Sequence, residues 1–322
     1  MGVFLRNDYK QLPVSHVIKL RGVCMFNFEK EQKRFSIGNT EIGGEPWRYP
    51  TVLIGTIFYK GDKTVEDEKS GKFDKEKAEE VIKLQEEFSD KTGNPCMIDV
   101  VVSTEENMRK HLDFVSSVTD MPILMDGVIS SVKISGLDYI KEAGIKDVVY
   151  NSITIDSGQD ELKSIKESGI ESVLLLAMNM KDFTSKGRVD AAKQLVNTVQ
   201  EIGVTKPIID TAILDLPSLG AGCNAIYQLK TEVGLPCGSG AHNAVDTWRG
   251  LKSKMGKQAK KPALAVANAV TIATGADFIL YGPIKHADFI FPAVAMVDVA
   301  FSSMVTESGI RLDRSHPRYK IA

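Results

Sequence analysis

From Val52 onward, short β-branched apolar runs alternate with stretches whose apolar residues recur at helical spacing. Parallel strands joined by crossover helices produce that pattern. It predicts strands at Val52–Phe58, Met97–Val102, Ile123–Met125, Val148–Tyr150, Ser172–Ala177, Ile208–Asp210, Pro236–Ser239 and Phe278–Tyr281. Helices are predicted at Asp74–Lys91, Thr104–Val118, Ser135–Ala143, Gln159–Glu167, Val189–Ile202, Leu219–Val233, Ala263–Ala273 and Phe291–Met304. Asp74 and Thr104 stand where a helix takes its N-terminal cap, and Gly93, Gly144 and Gly169 where it stops. Eight strand–helix pairs predict an α/β fold, a (β/α)8 TIM barrel.

Ahead of the first strand, Asn27–Gly44 alternates through Phe28, Phe35, Ile37 and Ile42 with turns at Gly38-Asn39 and Gly43-Gly44. A β-hairpin plugging the bottom of the barrel is expected. Residues 1–24 read as an N-terminal extension or arm and 25–322 as one barrel domain, since Met25 resembles a natural start. Glu66–Glu80 is dense in charge and reads as a solvated loop and helix start, and Arg311–Ala322 as a polar surface tail.

Composition narrows the class. A net charge of −2, 43% hydrophobic and 25% charged residues are ordinary for a soluble globular protein. No basic stripe with interleaved aromatics points to nucleic acid, and apolar runs such as Val173–Met178 are too short to span a membrane. Cys24, Cys96, Cys223 and Cys237 lack CxxC spacing, so a reducing, cytoplasmic setting is expected. No secretory leader is read in the first residues.

Barrel enzymes carry their chemistry at the C-terminal ends of the strands. The residues to weigh there are Thr56 or Tyr59, Asp99 or Ser103, Asp126, Asn151, Asn179, Asp210, and Ser239 with Asn243. Any one of them alone is as easily a helix cap or an Asx-turn. Together, carboxylates and amides with almost no fixed positive charge suit a neutral, flat heterocycle with several N–H donors and carbonyl acceptors, such as a pterin.

The succession Pro-Ile-Leu-Met-Asp126, Val-Val-Tyr-Asn151-Ser152, Leu-Leu-Ala-Met178-Asn179, Pro-Ile-Ile-Asp210 and Gly238-Ser239-Gly240-Ala241-His242-Asn243 resembles the pterin-binding methyltransferase barrels. With Gly43-Gly44-Glu45-Pro46, Gly55-Thr56-Ile57-Phe58-Tyr59 and Leu280-Tyr281-Gly282-Pro283-Ile284, it is similar to the H-subunit family of tetrahydromethanopterin S-methyltransferase, over about Met25 to Lys320. The resemblance implies methyl transfer between a methylated corrinoid (cobalamin) protein and N5 of tetrahydrofolate, as in the family's soluble bacterial relatives. The alternative it implies is an H subunit that uses methyl-tetrahydromethanopterin. Asp126, Asn151 and Asp210 would hold the pyrimidine edge, with Asn179 and Ser239 completing the pocket, and Asn243 would be catalytic near N5. A corrinoid protein docking on the C-terminal face of the barrel and a homodimer, to which Phe289–Met304 could contribute, are also implied. Two departures bear on the choice of pterin: Asp126-Gly127-Val128 stands where methanogen H subunits carry Asp-Ser-Thr, and Asn179–Arg188 is a compact loop where they have a longer insert. The compact loop tilts the reading toward tetrahydrofolate.

Other classes fit less well. Cys223, Cys237 and His242 match no closed zinc ligand spacing, so no bound metal is expected. Gly238-Ser239-Gly240 is a weak candidate phosphate cradle for a phosphate-ligand barrel enzyme of another class. A Schiff-base enzyme would need a lysine at a strand tip, and a non-enzymatic scaffold would not need the polar tips.

Overall fold

The computed structural model of the protein describes residues 28–322, so the arm expected at 1–24 and Cys24 lie outside the described residues. Two short antiparallel strands come first, β1 (Arg34–Ile37) and β2 (Thr40–Gly43). Then follow β3 (Val52–Ile57), a small ribbon of β4 (Val65–Asp67) and β5 (Lys72–Phe73), α1 (Lys75–Thr92), β6 (Cys96–Val102), α2 (Glu105–Val118), β7 (Ile123–Gly127), α3 (Ser130–Ala143), β8 (Val148–Ile153) and α4 (Gln159–Ser168). The second half holds β9 (Ser172–Leu176), α5 (Ser185–Glu201), β10 (Lys206–Asp210), α6 (Leu216–Glu232), β11 (Cys237–Ser239), α7 (His242–Asp246), α8 (Leu251–Met255), α9 (Lys260–Ala273), β12 (Phe278–Pro283) and α10 (Ala287–Glu307). Eight parallel strands close into a barrel in the order β3-β6-β7-β8-β9-β10-β11-β12, with β12 pairing back to β3 at Phe278↔Val52. The fold is the expected TIM barrel.

Local chemistry explains the elements. Asp74 accepts from the Lys77 amide and Thr104 from that of Asn107, while Gly93, Gly144 and Gly169 end their helices in the left-handed conformation. Side chains alternate across each strand, so the outward set packs under the helices and the inward set fills the barrel. The inner core holds Val52, Ile54, Met97, Leu124, Val149, Leu174, Ile208 and Phe278. Ile37 and Ile42 of the N-terminal hairpin join it and close the bottom, at 2% and 1% exposure. Burial of each contributes roughly 1.5–3 kcal/mol. The hairpin turns at Gly38, whose φ of 56° most side chains resist.

The bottom also buries charge. Lys230, fully buried, pairs with Asp277 at 2.8 Å and donates to the Gly44 carbonyl at 3.0 Å. Asp277 accepts from the Cys237 amide, and Asp298 on α10 accepts from the Thr51 amide and hydroxyl and from Asn94.

Three sequence expectations change. Glu66–Glu80 is largely exposed and begins a helix at Lys75, as expected, but its loop is ordered by the β4–β5 ribbon, with Phe73 packed edge-on to His111. The tail at Arg311–Ala322 is not all surface, because Leu312 and His316 are buried and Arg318 reaches Ser302 and Thr306 on α10. The last helix is longer than predicted, and Ile284–Glu307 is long and apolar enough by composition to cross a membrane. Here 44% of that apolar window is buried, because Ile290, Phe291, Val294 and Val297 pack on the barrel.

Candidate functional site

Strand alternation builds the site. Two residues beyond an inner apolar side chain, the next inward position on five strands is polar: Ile54 then Thr56, Met97 then Asp99, Leu124 then Asp126, Val149 then Asn151, Ile208 then Asp210. The apolar layer is thus a floor, and the polar layer above it lines a cavity of about 580 Å³ at the C-terminal end. Leu174, Leu176 and Leu280 supply apolar wall between the polar groups. Cavities of about this size are typical of small-molecule sites.

The carboxylates divide by their hydrogen bonds. Asp99 is satisfied on both oxygens, by the Thr56 hydroxyl at 3.0 Å and the Asn151 amide at 3.0 Å. Asp210 accepts from the Ala212 amide at 2.7 Å and the Ser239 hydroxyl at 2.9 Å, both on Oδ1, so no described residue donates to Oδ2. To Asp126, no described residue donates at all. Burial raises the pKa of all three. For Asp126 burial comes first, the charge of Asp99 adds to it and Lys133 opposes it, leaving the group at about 8. Asp99 and Asp126 are close enough to titrate as a pair, with Asp126 the last to ionise.

Cations stand at the edge of this layer, already engaged. Lys133 enters from α3, donates to the Ser152 carbonyl at 2.7 Å and pairs with the buried Glu161 at 2.7 Å. Glu161 is held in turn by Tyr150 and Ser130. Across the cavity, His242 Nδ1 lies 3.0 Å from Asp246, which also pairs with Lys260 at 2.7 Å. Burial pushes the Asp246 carboxyl up, but hydrogen bonds from His242 and Lys260 outweigh it and hold it at about 2. Gly282 makes room for the ring, since a Cβ there would sit 2.8 Å from His242 Nδ1.

Asp126, Asn151, Asp210 and Asn243 line this one cavity. Asn243 stands in the first turn of α7, where its amide donates to the Ile213 carbonyl at 3.1 Å. Ser239 is fully buried behind Asp210, donating to it and accepting from the Ile213 amide, so it positions a carboxylate and does not line the cavity. Asn179 lies outside the lining as well: its side chain accepts from the Lys181 amide and closes an Asx-turn in the loop after β9. Cys223 and Cys237 are buried, Cys237 in the layer between strands and helices, apart from His242 at the cavity.

Several lining or positioning groups escape a reading of strand ends. Asp99 counts there only as one tip among several, although a carboxylate inside Met97-Ile98-Asp99-Val100-Val101 has no solvent to turn to in a buried strand. Lys133 and the His242–Asp246–Lys260 chain come from helices and carry no strand-end signal. Arg188, 2% exposed on α5, donates to the Thr211 carbonyl at 2.8 Å and the Ala212 carbonyl at 3.2 Å, and also to those of Phe183 and Thr184. It ties the loop after β9 to the residues that follow Asp210.

Among solved structures the barrel is similar to Yersinia pestis DHPS with a pterine-sulfa conjugate, at TM-score 0.58 and 14% identity, covering 83% of this chain and 99% of that one. Xanthomonas albilineans dihydropteroate synthase in complex with 7,8-dihydropteroate gives 0.53 and 15%, covering 82% and 96%. These likenesses concern the fold. Sequence reaches further: the H subunit of tetrahydromethanopterin S-methyltransferase from Methanothermobacter thermautotrophicus is 38% identical over 309 residues, covering 92% of this chain and all of that protein. A putative methyltransferase of Methanosarcina mazei, the mtx H subunit, is 34% identical over 305 residues, covering 91% and 98%. The profile of the family described as tetrahydromethanopterin S-methyltransferase MtrH subunit matches residues 30–313. With a barrel, a cavity and a near full-length match in agreement, the chain belongs to the MtrH family.

Proposed function

We propose that the protein is a methyltransferase that exchanges a methyl group between N5 of a reduced pterin and a corrinoid carried by a partner protein. One observation carries the reading: Asp126 and Asp210 Oδ2 face the cavity without a donor from any described residue. A pterin's 2-amino-4-oxo edge presents adjacent N–H donors, which a carboxylate accepts in pairs. Asn151, held by its bond to Asp99, offers an amide beside them.

As for which pterin, the names of the relatives favour tetrahydromethanopterin, the alternative of the sequence reading, over tetrahydrofolate, its first choice. A tetrahydrofolate-using enzyme is the second reading, favoured by the compact Asn179–Arg188 loop, which Asn179 and Asp182 close with tight turns.

The chain's own contribution is placement and electrostatics. Asp126 and Asp210 fix the ring by its pyrimidine edge, and the leucine wall excludes water from its face. Asn243 uses one N–H on the Ile213 carbonyl, which fixes its rotamer and leaves a second N–H for N5. That bond strengthens as electron density builds on N5 when the methyl leaves, so it favours the transition state over the ground state. The corrinoid supplies cobalt as the methyl acceptor or donor.

A partner must bring the corrinoid, because it cannot enter beside the pterin without its own domain. The rim offers a surface for that domain on one side: Val128 and Ile129 after β7, Met180 and Phe183 after β9, and Leu214 and Leu216 around the start of α6 are all more than 40% exposed. These loops follow β7, β9 and β10, on one side of the barrel, and together supply an apolar crescent at the mouth, interrupted by the polar loop after β8. The reading commits that crescent to the corrinoid protein. A homodimer is a separate part of the proposal, supported by the uncharged outer face where Val266 and Val270 of α9 lie on the helix that packs beside α10 and its Met296. A cytoplasmic site of action completes it.

The test mixes the purified protein with methylcobalamin and each reduced pterin in turn, following the methyl–cobalt absorbance. Loss of that signal with tetrahydromethanopterin supports the first reading, loss with tetrahydrofolate alone supports the second, and no loss with either defeats both.

A further inference from the structure

The half of the rim opposite the apolar crescent has a different character, and the methyl-transfer site leaves it unexplained. Between β11 and α9 the chain runs Trp248-Arg249-Gly250-Leu251-Lys252-Ser253-Lys254-Met255-Gly256-Lys257-Gln258-Ala259-Lys260-Lys261, with six cations and no acidic residue. Lys260 pairs with Asp246 and Lys261 approaches Asp288 at 3.4 Å. Arg249, Lys252, Lys254 and Lys257 are exposed and form no ion pair with any described residue. Lys285, after β12, is likewise exposed and unpaired. Uncompensated like charges repel one another, so a segment that gathers them is expected to meet an anion.

The segment is anchored. Leu251 is 3% exposed and joins the core, with Trp248 packed against it. The Thr247 hydroxyl reaches the Leu214 carbonyl at 3.3 Å, so the segment is tied to the neighbouring loop after β10. It is also continuous with the cavity: His242, Asn243 and Asp246 of α7 line the cavity, and Lys260 is bonded directly to Asp246. On the adjoining rim Tyr59 and Pro283 line both the main cavity and a cleft of about 210 Å³ whose charged lining is mixed, with Lys63, Lys77 and Lys285 beside Asp62 and Glu80.

We propose that this basic rim is the subsite for the anionic tail of the reduced pterin, with Arg249, Lys252, Lys254, Lys257 and Lys285 facing the tail's carboxylate or phosphate groups. The inference rests on the pterin reading of the cavity. With the pyrimidine edge held by Asp126 and Asp210, the substituent on the far side of the ring points out of the mouth. Both candidate pterins end in several negative charges, glutamyl carboxylates in one case and a phosphate and a dicarboxylate in the other. On the crescent Lys181 is offset by the adjacent Asp182, whereas the basic rim gathers cations with no acidic residue among them. The division leaves the crescent free for the corrinoid partner while the pterin is bound.

The test is equilibrium binding, under reducing conditions, of four probes: tail-less 6-methyltetrahydropterin, monoglutamyl and pentaglutamyl tetrahydrofolate, and tetrahydromethanopterin. Each is titrated into the wild-type protein, into a Lys252→Ala, Lys254→Ala, Lys257→Ala triple variant, and into a triple variant with arginine at the same positions. All three positions are exposed, so the melting temperature of each variant should match the wild type. The wild type is expected to bind the multiply charged probes more tightly than the tail-less head. The alanine variant should lose about tenfold on those probes and nothing on the head, and the arginine variant should keep the preference. Added salt should erode the preference in the wild type and not in the alanine variant. Wild-type preference retained in the alanine variant overturns the subsite and leaves the pterin cavity standing. Binding of none of the four probes overturns the cavity reading and the subsite with it. Unchanged pterin binding in the alanine variant, with slower transfer only from a corrinoid protein, also overturns the subsite and assigns the lysines to an acidic protein surface.

Discussion

Each end of this barrel buries carboxylates, and the two ends treat them in opposite ways. At the bottom, Asp277 is matched by Lys230 and the Cys237 amide, and Asp298 by Thr51 and Asn94. At the top, Asp126 takes no donor from the described residues and Asp210 keeps one oxygen without one. Burial raises the pKa of carboxylates at both ends; the bottom ones are completed by the protein's own donors, whereas at the top this holds for Asp99 and not for Asp126 or Asp210 Oδ2. On the proposed function, the difference separates groups that hold the fold from groups that bind the pterin.

Breaking the bottom should have the largest effect. Lys230→Met strands Asp277 in the core and is expected to cost about 3–5 kcal/mol of folding stability, measured by chemical denaturation. A loss below about 1 kcal/mol would mean the bottom pair is no more structural than a surface ion pair.

At the top the same experiment should reverse. Asp126→Asn removes a carboxylate that costs the fold burial energy, so stability should hold or rise, while reduced-pterin affinity falls about 100-fold with the loss of charge-assisted bonds. Titration calorimetry and denaturation of the same variant check the two halves together; unchanged affinity would remove Asp126 from the site.

The raised pKa of Asp126 gives a pH signature of its own. Between an unfolded carboxylate's value of about 4 and the folded value of about 8, the native state holds a proton that the unfolded state has lost. Stability should therefore fall as pH rises through that window and level off above it, with a shallower fall in Asp126→Asn. Pterin binding favours the ionised form, so affinity should rise with pH by up to about tenfold per unit below about 8. A flat affinity profile across that range would contradict the assignment.

The smallest effect is expected at Asn243. Asn243→Ala should lower turnover about tenfold with little change in pterin affinity, since it removes a neutral hydrogen bond that strengthens only as the methyl leaves. An equal loss in affinity and turnover would make it a binding group.

Much of this is legible in the sequence because a barrel strand repeats every two residues. The apolar runs locate the strands, and the polar residue ending the runs at Asp126, Asn151 and Asp210 falls on the inward phase of its strand. The same logic attends only to strand ends and so underweights Asp99, which lies mid-strand because β6 continues to Val102. Asn179 has a strand-end position but turns onto its own backbone, the Asx behaviour that a short polar side chain always has available. Ser239 faces Asp210 because β10 and β11 pair at Asp210↔Gly238, a register that no single strand reveals. Lys133, Arg188 and the His242–Asp246–Lys260 chain depend on how helices pack over the rim, and spacing along the chain carries no trace of that.

The central claim is that the donor-poor carboxylates at the top hold a reduced pterin. Calorimetric titration with tetrahydromethanopterin, and with tetrahydrofolate beside it, in buffers of different ionisation enthalpy at pH 7 reads both binding and proton release. The prediction is saturable binding of at least one of the two with release of close to one proton, lost in Asp126→Asn. Binding of neither, or binding with no proton release that Asp126→Asn leaves unchanged, would contradict it.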